Sequence, residues 1–243
     1  MRASEAVMKE VHAVVAGGGS GSRFGSAKWD APLGGRRILD YALRPFAMCH
    51  PTVRSITLLL PESALGGEPP RLPAVVAFRE LSGGATRADS VLRGLEAVRQ
   101  DAGKDAWVLV HDVARPCVWQ SDVEKLLSEA GADGGLLAVP VTDSVKRAEG
   151  DRVAASEDRQ VLWRAQTPQL FELAALHRCL RQALEEGAEV TDESQAMEHD
   201  GYRPRLIAGR EDNIKVTWPE DLARAESILQ QDPDHAYWRD LYT

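Results

Sequence analysis

Short apolar runs alternate with stretches of helical spacing along most of this chain. Residues 11–16 form a buried-strand run that ends in three glycines, and 38–46 have helix-like apolar spacing. Residues 53–60 read as a second buried strand stopped by Pro61, and 65–73 as a Gly/Pro-rich connection. A third strand is expected at 74–78. Val91, Leu92, Leu95 and Val98 then share one face of a helix over 89–99, before a strand at 107–110. A helix near 121–130 and a strand near 136–141 follow. From 142 to 163 the chain turns polar without a helical period, an excursion from the main sheet. Helical spacing returns at 173–184, and the chain closes with a strand at 213–217, a helix started by Pro219 and a loose tail from 232 to 243.

This alternation predicts an α/β fold with a mainly parallel sheet covered by helices on both faces. Ligands are expected at the carboxyl ends of its strands. The length of 243 residues suits one such domain, assigned to 1–231.

Composition excludes more than it identifies. A hydrophobic share of 44% and a charged share of 27% are those of a soluble globular protein. The net charge of -8 argues against a nucleic-acid or anionic-membrane partner, so a phosphate ligand must be held locally. Cys49, Cys117 and Cys179 are far apart and match no zinc-site spacing, as expected of reduced thiols in a cytoplasmic protein. The acidic start lacks a signal-peptide core, and no run approaches the apolar length of a membrane span.

The chemistry begins after the first strand. In Ala16-Gly17-Gly18-Gly19-Ser20-Gly21-Ser22-Arg23-Phe24-Gly25, the glycines let backbone N–H groups approach a polyphosphate. The dinucleotide fingerprint would need glycine at Phe24, and no Gly-Lys-Ser/Thr completes a Walker loop. Arg23 and Lys28 are suited to neutralising charge on a phosphate under attack. Asp112, just after an apolar strand, can serve a ribose or a magnesium ion bridging phosphate oxygens. His111 reads as a packed histidine, and Ser90 in isolation as a helix N-cap.

Several further blocks occur in order: Gly-Gly-Ala-Thr-Arg-Ala-Asp-Ser-Val at 83–91, Val-Leu-Val-His-Asp-Val-Ala-Arg-Pro at 108–116, Pro-Val-Thr-Asp-Ser-Val-Lys-Arg at 140–147, and Leu-Trp-Arg-Ala-Gln-Thr-Pro-Gln at 162–169. Asp158-Arg159, Val-Thr-Asp-Glu at 190–193 and Asp-Asn-Ile-Lys-Val-Thr at 212–217 complete the set. Together they resemble the 2-C-methyl-D-erythritol 4-phosphate cytidylyltransferase family over about residues 11–229. The resemblance implies a Rossmann-like nucleotidyltransferase that joins CTP to methylerythritol phosphate, with Mg2+ or another divalent cation as cofactor. It assigns transition-state stabilisation to Arg23 and Lys28, and nucleotide contacts to Ala16, Gly17, Gly18, Gly19, Gly84, Ala85, Ser90 and Asp112. Substrate contacts go to Asp112, Arg115, Thr191 and Lys215, and to Ser144 and Arg159 on an arm at 140–164 that completes a partner's site in a homodimer.

The nucleophile in such a reaction is a phosphate monoester whose second pKa is about 6, so no Ser-His-Asp machinery is required. The chain departs from the family pattern at Ala27-Lys28-Trp29-Asp30, where Pro-Lys-Gln is usual and the spacing from Arg23 looks about two residues shorter, and also at Ser144 and Val113. The competing readings are a cytidylyltransferase for another polyol phosphate, such as ribitol 5-phosphate, and a non-catalytic nucleotide-binding homologue.

Overall fold

The computed structural model describes residues 10–18, 24 and 27–233. Gly19, Arg23 and the tail from 234 onward lie outside the described residues. In chain order the elements are β1 (Val11–Ala16), β2 (Pro32–Leu33), β3 (Arg36–Arg37), α1 (Ile38–Met48), β4 (Val53–Leu60), β5 (Ala77–Ser82), α2 (Arg87–Asp101), β6 (Trp107–Asp112), α3 (Gln120–Glu129), β7 (Gly135–Pro140), β8 (Lys146–Glu149), β9 (Arg152–Ser156), β10 (Trp163–Glu172), α4 (Leu173–Glu185), α5 (Glu193–His199), β11 (Arg205–Ala208) and α6 (Asp221–Leu229).

The main sheet has seven strands in the order β11-β7-β10-β6-β1-β4-β5. Only β10 runs antiparallel to its neighbours. The expected mainly parallel sheet is therefore present. β1 sits inside it and is buried along its whole length, which explains why it reads as a continuous apolar run. Its alternate residues feed two cores. Val11, Ala13 and Val15 pack with α1, α3 and α6, whereas Val14 and Ala16 pack with α2, α4 and α5. On α2, Val91, Leu95 and Val98 are fully buried, each contributing about 1.5–3 kcal/mol of transfer free energy. Gly94 brings this helix close to the sheet: a Cβ there would lie 2.6 Å from Val14 Cγ1.

Several expectations need correction. The third strand is β5, displaced toward the carboxyl end from 74–78, because a turn from Pro73 to Val76 occupies the earlier residues. The 213–217 segment is not a strand. Its Val216 N–H donates to Ala114 O in the loop after β6, and its Asn213 side chain donates to Thr167 O on β10, so single hydrogen bonds rather than a backbone ladder tie it to the sheet. Helix α6 begins at Asp221, two residues after Pro219, where the Asp221 carboxylate accepts from the Thr217 and Trp218 N–H groups. β10, α5 and β11 were not foreseen. Asp232, at the start of the expected tail, is buried in an ion pair with Arg44.

The polar excursion is the antiparallel β8–β9 hairpin, exposed at every residue. The three cysteines are free and buried, and burial pushes the Cys49 and Cys117 thiols up to about 12. Among the described residues, no helix is long and apolar enough to cross a membrane.

Candidate active site

The strand order reverses around β1, whose neighbours are β4 and β6, and the crevice at the carboxyl ends of these strands is where such sheets bind ligands. Ala16 is paired in register with Asp112, and the chain beyond each strand enters the crevice. Gly17 N–H donates to Leu59 O at 2.8 Å, and Val113 N–H to Ala16 O at 3.0 Å, fixing the start of the glycine loop against both neighbours. A Cβ on Gly17 would sit 2.8 Å from Leu60 Cδ2 and 3.2 Å from Leu59 O, so close approach rather than backbone angle demands glycine there.

The second glycine turn lies beside the first. Thr86 caps α2: its hydroxyl accepts from Asp89 N–H, and the Asp89 carboxylate accepts from Thr86 N–H at 3.0 Å. Ser90 is therefore not the cap. Its buried hydroxyl donates to Thr86 O and accepts from Gly84 N–H, both at 2.9 Å, which folds the turn back over the helix. One lone pair of that oxygen is left for a donor. Gly18 is close enough that a Cβ would lie 3.6 Å from Ser90 Oγ. Ala85 is exposed at the lip of this turn.

Asp112 is the centre of the charge arrangement. Its carboxylate accepts from Arg87 Nε at 2.7 Å and from Lys215 Nζ at 2.8 Å. Arg87 in turn makes a two-pronged pair with buried Glu193, at 2.7 and 3.0 Å. Burial by itself would raise the Asp112 pKa, but Arg87 and Lys215 outweigh it and hold the group well below the usual carboxylate range. For Arg87, burial opposes the charge, but Glu193 and Asp112 hold its pKa well above the ordinary value. Two carboxylates thus face Arg87, Lys215 and nearby Arg115, leaving a positive excess for an anionic ligand.

His111 supports this centre from behind. Its ring is fully buried, with Nε2 3.2 Å from Arg115 O and Nδ1 2.9 Å from Thr167 Oγ1. A carbonyl can only accept, so Nε2 carries the proton and Nδ1 accepts from Thr167. The threonine oxygen accepts in turn from Asp112 N–H at 3.1 Å. Burial is the main cause that pushes the His111 pKa down to about 3, with Arg115 and Arg87 adding to it against Asp112. A neutral ring with both nitrogens in use packs the site, as its sequence context implied.

The other expected residues fall into four places. Arg115 donates to Asn213 O at 2.7 Å and Ala165 O at 3.3 Å, tying the 213–217 segment to β10. Thr191 is exposed, bonds Gln195, and stands two residues before Glu193, which links it to the Asp112 cluster through Arg87. Lys28 belongs to the Lys28–Asp30 turn, its ammonium 5.6 Å from the Phe24 ring centroid. Ser144 and Arg159 are on the arm, where Arg159 donates to Thr142 O.

Arg87, Glu193 and Thr167 escaped the sequence reading as functional residues, although all lie inside the quoted blocks. The Thr-x-x-Asp capping pattern at 86–89 was the available signal that Arg87 opens a helix at the crevice. The 162–169 block also acquires a physical meaning. Gln166 donates to Arg210 O, Thr167 holds Asp112 and His111, and Gln169 accepts from Ser194 N–H and donates to Asp192 at the start of α5.

No group of three His, Cys, Asp or Glu able to hold a metal ion occurs among the described residues. Asp112 could contribute one oxygen to a hydrated ion, with ligand phosphates supplying the rest. The donor set thus fits a phosphate-held magnesium ion and does not form an all-protein cage.

Comparison with known proteins agrees with this fold. The family profile described as "IspD: 2-C-methyl-D-erythritol 4-phosphate cytidylyltransferase" matches residues 11–231. The chain is similar to the 2-C-methyl-D-erythritol 4-phosphate cytidylyltransferase of Actinobacillus pleuropneumoniae, at 42% identity over 93% of this chain and 99% of that protein. It is also similar to the one from Cronobacter sakazakii, at 45% identity over 90% and 94%. Among solved structures, the Francisella tularensis cytidylyltransferase superposes with a TM-score of 0.76 at 29% identity, over 90% of this chain and 99% of that one. The Thermus thermophilus structure does so with a TM-score of 0.72 at 31% identity, over 90% and 98%. With profile, sequences and fold in agreement over nine-tenths of its length, this chain belongs to the 2-C-methyl-D-erythritol 4-phosphate cytidylyltransferase family.

Proposed function

We propose that the crevice between β1, β4 and β6 is the place where this chain carries out its family's reaction, and that the residues gathered there divide the work. The reaction is cytidylyl transfer from CTP to 2-C-methyl-D-erythritol 4-phosphate, giving 4-diphosphocytidyl-2-C-methyl-D-erythritol and pyrophosphate, in the non-mevalonate isoprenoid pathway. A phosphate oxygen of the acceptor attacks the α-phosphorus of CTP while pyrophosphate leaves. No proton has to be removed from an acceptor that is already largely dianionic. The neutral, occupied His111 agrees with a mechanism that lacks a general base.

Catalysis then rests on positioning and charge. Ala16, Gly17, Gly18 and Gly19 offer backbone to the triphosphate, and Arg23 and Lys28 stabilise charge at the α-phosphate. Gly84, Ala85 and Ser90 surround the cytosine, where the remaining lone pair of Ser90 suits the exocyclic amino group. Asp112 takes the ribose or one position of a divalent cation. That cation, Mg2+ in this reading, would neutralise charge on the triphosphate. Lys215 keeps two of its three N–H donors beyond the Asp112 bond, and with Arg115 and Thr191 it receives the sugar phosphate.

The arm supplies Ser144 and Arg159 to the site of a second copy. Two-stranded hairpins are marginal alone, and this one is exposed throughout, with Val153 at 66% exposure, as is Val161 at 73% in the turn that follows it. A homodimer with exchanged arms covers those residues. Buried free thiols suit a cytoplasmic enzyme. The single observation that carries the site assignment is the Arg87–Asp112–Lys215 cluster beside the glycine loop.

The test is pyrophosphate release from CTP and magnesium with methylerythritol phosphate, with ribitol 5-phosphate and with no acceptor. Release with methylerythritol phosphate alone is expected. Release with ribitol phosphate moves the chain to another polyol substrate, and release with neither marks a homologue that binds without turnover.

A further inference from the structure

A second polar constellation lies at the opposite, amino-terminal edge of the sheet. His12 and Ser55 are paired in register on β1 and β4, near the first residues of both strands. His12 is four residues from Ala16, about 13 Å along the strand, so this edge is separate from the nucleotide crevice. Ser55 Oγ is 2.7 Å from His12 Nδ1, and His12 Nε2 is 3.1 Å from Glu10 Oε1. The carboxylate can only accept, so Nε2 holds the ring proton and Nδ1 receives the Ser55 hydroxyl. Glu10 is fixed on its far side by Gly103 N–H at 3.1 Å. A hydroxyl directed at an imidazole that is itself oriented by a carboxylate has the logic of an activated nucleophile.

The constellation opens onto a cavity of about 350 Å³ lined by His12, Arg54, Ser55, Phe78, Arg79 and Asp101 among others. Arg79 is held by Thr57 Oγ1 and Asp101 at 3.0 and 2.8 Å. We infer that Ser55 is a reactive hydroxyl in a second site, suited to acyl transfer from a small ester that carries a negative charge.

Phe78 provides apolar wall, while Arg54 provides positive charge for the anionic end, the charge of Arg79 being paired with Asp101. In the first step Ser55 Oγ bonds to the ester carbonyl carbon and its proton passes to His12 Nδ1. The carbon–oxygen bond to the alcohol then breaks, and the His12 proton leaves with the alcohol. Water reverses the sequence through the same nitrogen, releasing the carboxylate and restoring the hydroxyl. Burial, the largest cause, lowers the His12 pKa, with Glu10 opposing and Arg79 and Arg54 assisting, so the ring is neutral at pH 7 and able to accept.

The test uses the full chain with mono-4-nitrophenyl succinate, 4-nitrophenyl acetate and a fluorophosphonate probe, with the adduct mapped by mass spectrometry. Expected are a covalent adduct on Ser55, faster release of nitrophenol from the succinate than from the acetate, and a fall of at least tenfold in both His12→Gln and Ser55→Ala. Pyrophosphate release in cytidylyl transfer stays unchanged in Ser55→Ala, which shows that this variant folds and separates this site from the first. Labelling of Ser55 no faster than of other exposed serines, or equal labelling in His12→Gln, would overturn the inference and leave the Ser55–His12 bond as packing.

Discussion

Acid should weaken this protein through His111 while leaving its chemistry alone. The ring is fully buried, with Nδ1 accepting from Thr167 and Nε2 donating to Arg115 O, and burial pushes its pKa to about 3. In the unfolded chain the same ring titrates near 6.5. Between those values the unfolded state holds a proton that the folded state lacks, so stability rises with pH across the window and falls as the solution is acidified. At about 1.4 kcal/mol per pH unit below 6.5, the loss from this group approaches 2 kcal/mol at pH 5 and about 3 kcal/mol at pH 4. His12 and His177 are also lowered and act in the same direction. Asp112, depressed instead, loses its contribution only as pH falls below the usual carboxylate range. The contribution of His111 is therefore read as a difference, from urea unfolding of wild type and His111→Gln at pH 7.5, 6 and 5. The variant should be the less stable at pH 7.5, with the gap narrowing by about 2 kcal/mol at pH 5. Turnover by the variant should keep the pH dependence of the wild type. A gap that stays constant with pH refutes the argument, and a lost kcat inflection would make His111 a participant in proton transfer.

Four other outcomes are expected. Arg23→Ala should lower kcat about a hundred- to a thousandfold with an unchanged unfolding curve, whereas Arg159→Ala should raise the KM for methylerythritol phosphate about ten- to a hundredfold and barely move that for CTP; steady-state kinetics with each substrate varied decides both. Gly94→Ala gains about 1 kcal/mol of helix propensity but places a Cβ 2.6 Å from Val14 Cγ1 and 3.0 Å from Leu59 Cδ2, which costs about 1–3 kcal/mol, so thermal unfolding should show a net loss, and a higher Tm would contradict the packing. On the proposed arm exchange, Val153→Glu should give a monomer where the wild type sediments as a dimer and raise the KM for methylerythritol phosphate; a dimeric variant with normal kinetics would remove the arm from the interface.

What could be read from the sequence follows from locality. β1 and β4 announce themselves as continuous apolar runs because they are buried on both faces, and α2 by an apolar period because it buries one face. The glycine run and Asp112 were legible because each stands at the end of an apolar strand, β1 and β6. β10 was hidden: its inner half carries buried Gln166, Thr167 and Gln169, so its polar letters resemble a loop until their partners are seen. The 213–217 segment misled the other way, as an alternating polar and apolar stretch whose backbone N–H bonds go to loops. Only the tertiary structure joins Arg87 to Glu193 across 106 positions, or Ser55 to His12 across 43. Local spacing determines which face of an element is apolar, but which buried charge meets which is decided by strand order and register, and these exist only once the chain has closed on itself.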